Sequence, residues 1–183
     1  DIPTQLHLYR GTQSCQMANC PPVDPHAHYG DGLQWVVDKG LAIQRGSIHN
    51  DEIPVYKLGA GTLRLQGDFV GSGFKAPLEV REGSLQLKAT ALAAPTTVYG
   101  AARLYADGDS WLRSLQVASG GRVHINKANS RAGLTIGQGL QLAAHSQLSL
   151  ERSADAAHEP VLQMEPQADI RLDGVLLIGL RGE

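Results

Sequence analysis

Residues 58–183 are predicted to form an all-β fold, a right-handed parallel β-helix (a solenoid), preceded by an irregular N-terminal cap over residues 1–57. Three observations lead there. Apolar and polar residues alternate over short runs, the period of a half-buried strand. The runs recur in pairs along the chain, as stacked repeats do. No stretch shows a helical period of apolar residues.

The first 57 residues lack this regularity. They hold Pro3, Pro21, Pro22, Pro25 and Pro54, both cysteines and His7, His26, His28 and His49. Short strand-like pieces occur at Gln5–Tyr9 and Leu33–Val37. The boundary with the regular part is expected near Tyr56–Gly59. Cys15 and Cys20 have four residues between them, a spacing that can close a small disulfide loop in an oxidising compartment. With His26 and His28 the pattern becomes C-x4-C-x5-H-x-H, whose second spacing is too tight for an ordinary zinc site. A Cys15–Cys20 disulfide is the expectation, and neither metal nor cofactor is expected.

The regular part reads Leu63-Arg64-Leu65, Leu78-Glu79-Val80, Leu85-Gln86-Leu87, Leu115-Gln116-Val117, Val123-His124-Ile125, Leu140-Gln141-Leu142, Leu148-Ser149-Leu150, Leu162-Gln163-Met164 and Ile170-Arg171-Leu172. Four copies share one form, two apolar positions, five residues, then two more. They are Thr96/Val98 to Leu104/Ala106, Leu115/Val117 to Val123/Ile125, Leu140/Leu142 to Leu148/Leu150, and Leu162/Met164 to Ile170/Leu172. An earlier copy, Leu78/Val80 to Leu85/Leu87, is one residue shorter. Copies thus start at 78, 96, 115, 140 and 162. No single copy can bury its own apolar face, so neighbours must stack. Gly83, Gly100, Gly120 and Gly121 lie where tight corners are needed. If the copies stack in register, Gln116, Gln141 and Gln163 form an outward row, either a hydrogen-bonded amide ladder or a plain solvated face. On this register Leu142 points inward.

Composition excludes several classes. The net charge of −2 gives no reason to expect nucleic acid as a partner. Aromatic residues are only 5% and glycines number 21, which suits a core of thin aliphatic layers. The first apolar stretch is too short for a secretory signal. The run Val175–Leu180, broken by Gly179, is too short to span a bilayer as a helix.

The stretch from Lys57 to Leu87 carries a family resemblance. Lys57-Leu58-Gly59-Ala60-Gly61-Thr62-Leu63-Arg64-Leu65-Gln66-Gly67, closing with Leu78-Glu79-Val80-Arg81-Glu82-Gly83-Ser84-Leu85-Gln86-Leu87, resembles the passenger-associated transport repeat of bacterial autotransporters. The matching positions are Gly59, Gly61, Thr62, Leu63, Leu65, Gly67, Leu78, Val80, Gly83, Leu85 and Leu87. The family's Asn-x-Tyr-x-Gly stretch is replaced here by Asp68-Phe69-Val70-Gly71. The resemblance implies an extracellular passenger, secreted or displayed on the bacterial surface and exported through its own outer-membrane translocator barrel. It implies a role for the repeat in transport and folding, and some relatives carry a subtilisin-like or trypsin-like protease upstream. A small cysteine loop fits passage through a narrow pore.

The chemical motifs are weak by comparison. Asp24-Pro25-His26-Ala27-His28 resembles the first-strand metal motif of amidohydrolases, but the (β/α)8 barrel that motif needs has no counterpart here. No Gly-x-Ser-x-Gly turn is present, so a serine-protease site is not expected in this chain. Polysaccharide-cleaving β-helices need carboxylates clustered on adjacent rungs. Asp107 and Asp109 form one acidic loop without companion acids at the same repeat position. Trp111 follows that loop, either to bind a partner or sugar ring or to cap a rung edge. His124 is expected on a solvated face. The expected function is a non-catalytic stem supporting export and display of an upstream domain. The alternatives are an adhesin surface contacting a host or serum protein, and a carbohydrate-active enzyme.

Overall fold

The computed structural model of the chain describes residues 7–10, 32–45, 48–71, 73–127, 133–153 and 161–181. Among them every regular element is a strand, and they build a parallel β-solenoid. Strand β1 (His7–Arg10) runs antiparallel to β2 (Leu33–Val36). The winding then begins with β2 and β3 (Leu41–Arg45), followed by β4 (Val55–Leu58) and β5 (Thr62–Asp68). Next come β6 (Leu78–Val80) and the long β7 (Ser84–Val98), which passes from one turn into the next. After β8 (Arg103–Asp107), β9 (Ser110–Val117) does the same. So does β11 (Leu134–Leu142), after β10 (Arg122–Lys127). The remaining strands are β12 (Gln147–Ser153), β13 (Leu162–Met164), β14 (Asp169–Leu172) and β15 (Val175–Arg181).

Three ladders form three faces. The first stacks Val55, Leu78, Thr96, Leu115, Leu140 and Ile170 in register. The second stacks Leu63, Leu85, Leu104, Val123, Leu148 and Leu176. The third stacks Leu92, Leu112, Ile136 and Met164. Because strand side chains alternate, one row per strand points inward and its neighbour outward. The inward rows make one continuous core in which Leu63, Leu85, Leu104 and Leu112 have no exposed surface. Each such leucine contributes about 2 kcal/mol by burial, and only stacking supplies its partners.

Corners between the first and second faces also stack. Tyr99 N–H donates to Val80, Ala118 to Val98, Ala143 to Val117 and Asp173 to Leu142, each to the carbonyl one turn earlier. Gly59, Gly83, Gly100 and Gly120 take positive φ there. At the second corner Thr90 and Ser110 are buried, and the Thr90 hydroxyl donates to the Leu65 carbonyl at 2.7 Å. The segment that departs from the transport-repeat pattern closes as an Asp-centred turn. Asp68 Oδ1 accepts from the Val70 and Gly71 amides while Phe69 is fully buried.

Two differences from the sequence expectation emerge. The expected register holds for Leu78, Thr96, Leu115 and Leu140, but the copy starting at 162 is out of phase. Leu162 stacks on Leu134 of the third face, and Ile170 takes the place below Leu140. Gln163 therefore pairs with Thr135, and the outward row runs Gln116, Gln141, Arg171. The cause is the third face, whose Leu-x-Met repeats the pattern of the first. The parallel ladder also begins at Leu33, inside the segment expected to be irregular. It was disguised because Lys57, a charged residue, occupies an inward position between Trp35 and Val80.

Candidate functional site

Lys57 is the most unusual inward residue, fully buried at the corner where the transport-repeat resemblance lies. Its ammonium donates to the carbonyls of Leu58 at 2.8 Å, Gly59 at 2.7 Å and, one turn on, Glu82 at 3.0 Å. Glu82 reciprocates by accepting from the Gly59 amide at 2.9 Å. These bonds tie the ammonium to the carbonyls of two successive corners. Desolvation lowers the Lys57 pKa from 10.5 to about 8, opposed by the nearby charges of Glu82 and Asp38.

A pH dependence follows. Below about pH 8 both folded and unfolded chains carry the charge, and the burial penalty is fully present. Between about 8 and 10.5 the folded chain loses the proton first, so the unfolded chain binds more protons and stability rises with pH. In urea melts, the parent should gain up to about 3 kcal/mol over this window relative to Lys57→Met. Parallel pH profiles for the two proteins would refute the assignment.

The outer side of the second face carries a polar track. Arg64 Nε donates to Gln86 Oε1 at 2.9 Å, and the Gln86 amide donates to Asp107 Oδ2. Toward the C-terminus Tyr105 and His124 meet edge to face, 5.9 Å between ring centres, with His124 Nε2 3.6 Å from a Glu151 carboxylate oxygen. Beside them Arg103 and Arg122 are direct register neighbours, and Gln147 continues their row. Arg103, Tyr105, Arg122, His124, Gln147 and Ser149 line an open groove of about 330 Å³. A second shallow groove, about 450 Å³ on the first face, includes Gln116, Gln141 and Arg171. Arg171 is already paired with Asp173 at 2.8 Å, so that groove offers no uncommitted cation among its described residues.

The residues singled out in sequence lie apart. Asp107 ends β8 on the second face, with Lys88 and Asn126 as its register neighbours rather than other acids. Asp109 is exposed in the turn after Gly108, whose φ is +80°. That turn carries Trp111 onto the third face. There Trp111 Nε1 donates to Glu165 Oε1 at 2.8 Å, and the indole lies so close to Gly137 that a Cβ at that position would sit 2.7 Å from it. Cys15, Cys20 and the Asp24–His28 motif fall outside the described residues. Arg103 and Arg122 belong to no motif in the sequence. Their signal was present, since each immediately precedes the first apolar residue of a copy's second strand, Leu104 and Val123.

The last turn is open. Its inward positions Ile170, Leu172, Leu176 and Ile178 are 56%, 46%, 41% and 77% exposed, whereas Leu140, Leu142 and Leu148 one turn earlier are at most 2% exposed. Among the described residues no strand pairs with the far edge of β14 or β15.

Comparison of the chain with family models, curated proteins and solved structures finds no match.

Proposed function

We propose that the chain is a non-catalytic β-helical stem of a secreted autotransporter passenger, which supports export through an outer-membrane barrel and displays an upstream functional domain. The observation that carries this reading is the unbroken parallel stacking of turns, in which the row Leu63, Leu85, Leu104, Val123 and Leu148 runs in register through the core. Each turn buries its apolar row only against its neighbours, so the stacked turns form a repetitive scaffold suited to a stem. The transport-repeat resemblance supports the same reading, and its positions have a structural sense. Leu63 and Leu65 stack on Leu85 and Leu87. A Cβ on Gly83 would lie 2.4 Å from the Gly59 carbonyl, so the two glycines mark one corner on successive turns.

The reading is tested by placing the chain between a reporter enzyme and an outer-membrane barrel in a Gram-negative host. Surface display, scored by protease sensitivity of the reporter on intact cells, should exceed that with a Gly/Ser linker of equal length. Equal display from both would overturn it. The carbohydrate-cleaving alternative is less well supported, because Asp107 has no carboxylate at its register on either adjacent rung. The adhesin alternative has a specific observation behind it, the arginine-lined groove.

A further inference from the structure

We propose that the groove formed by Arg103, Arg122, Tyr105 and His124 binds an acidic saccharide, one bearing sulfate or carboxylate groups on its rings. The site does not depend on the stem reading.

The arginines are the starting point. Strands in a ladder lie about 4.8 Å apart, so two arginines in register hold like charges side by side, an arrangement that costs stability. Arginines elsewhere on the solenoid are matched: Arg64 with Gln86, Arg81 with Glu79, Arg113 with Gln138 and Arg171 with Asp173. Among the described residues neither Arg103 nor Arg122 has such a partner, and both are exposed. Two guanidinium groups on adjacent rungs are suited to an oxyanion, which each can grip through paired N–H donors. The chain's net charge is −2, so the basic pair is a local feature and not part of a general cationic surface.

The remaining walls select a saccharide over an acidic peptide. A peptide commonly binds a sheet by adding a strand at its edge. Here β10 is paired on both sides, with β8 and β12, so no edge is offered. The groove instead presents side-chain tips that donate and accept: the Tyr105 hydroxyl, the His124 ring, the Gln147 amide and the Ser149 hydroxyl. Such tips match a hydroxyl-rich ring. The half-buried Tyr105 and His124 rings, packed edge to face, add ring surface beside the cationic pair.

Isothermal titration of the folded chain separates the possibilities, using a heparin-derived oligosaccharide, a hyaluronan oligosaccharide, a neutral cello-oligosaccharide and polyglutamate. Saturable binding of an acidic oligosaccharide is expected, weakening as salt rises. Preference for the first or second probe identifies sulfate or carboxylate as the anion. Arg103→Gln combined with Arg122→Gln should weaken binding about tenfold for each arginine removed, since each charge-assisted contact is lost outright. Arg113→Gln, at the bulge between the third and first faces, should leave it unchanged. The double variant should melt no lower than the parent, because it relieves repulsion. No binding of either acidic oligosaccharide would overturn the proposal. So would undiminished binding by the double variant, or binding of polyglutamate or the neutral probe as tight as the acidic one.

Discussion

Leu104→Asp is expected to unfold the solenoid, whereas Tyr105→Asp, one residue further along the same strand, should leave it folded. Leu104 has no exposed surface and lies in register between Leu85 and Val123, which are themselves buried. The change removes about 2 kcal/mol of apolar burial. It also places a carboxylate where the inward row offers no cation or donor to meet it, a cost of several kcal/mol even after the group takes up a proton. Together these approach the whole stability of an ordinary domain. The position sharpens the effect, because turns contact only their neighbours and a fault in the middle separates the two ends. Tyr105 points outward and is half-buried, so its replacement should cost about 1 kcal/mol. Far-UV circular dichroism and urea melts of the two variants give the comparison. Similar melts for both would show that the inward assignment of β8 is wrong.

The same alternation explains what could be read from the chain alone. Leu78-x-Val80, Leu115-x-Val117 and Leu140-x-Leu142 announce strands because corner glycines and loops bound them on one side. The third face carries no such punctuation. Strands β7, β9 and β11 run from it into the first face with only a shift of register, between Leu92 and Pro95 and between Ile136 and Gly139. With no break in the sequence, Leu92 and Leu112 do not stand out, and Leu162-x-Met164 is assigned to the wrong face. The turn at Leu33–Leu58 escapes for a different reason. Its inward Lys57 is tolerated only because three carbonyls converge on the ammonium, a circumstance that no local pattern encodes. The arginine groove has the same character. Arg103 and Arg122 lie nineteen positions apart in sequence and become neighbours only once the register of β8 and β10 is known.

Gly83 and Gly100 together test the stacked corner. Both have positive φ, +61° and +49°, so an alanine at either site meets backbone strain of about 1–2 kcal/mol. Their surroundings differ. At Gly100 a Cβ would have nothing within 4 Å, and Gly100→Ala should cost little beyond that strain. At Gly83 a Cβ would lie 2.4 Å from the Gly59 carbonyl oxygen, 2.5 Å from that of Gly61 and 2.8 Å from the Ala60 carbonyl carbon. All three are backbone atoms of the turn beneath, and no side chain can rotate away to make room. The two turns must separate at this corner, which strains the Ser84 amide to Gly61 carbonyl bond and the Lys57 ammonium to Glu82 carbonyl bond. Each of those is worth about 1 kcal/mol. Gly83→Ala should therefore destabilise by about 3–4 kcal/mol, about two to three times the effect of Gly100→Ala. Urea midpoints for the pair measure the difference directly. Equal losses would mean that the glycine is needed for its φ alone, and that successive turns do not close on one another at this corner.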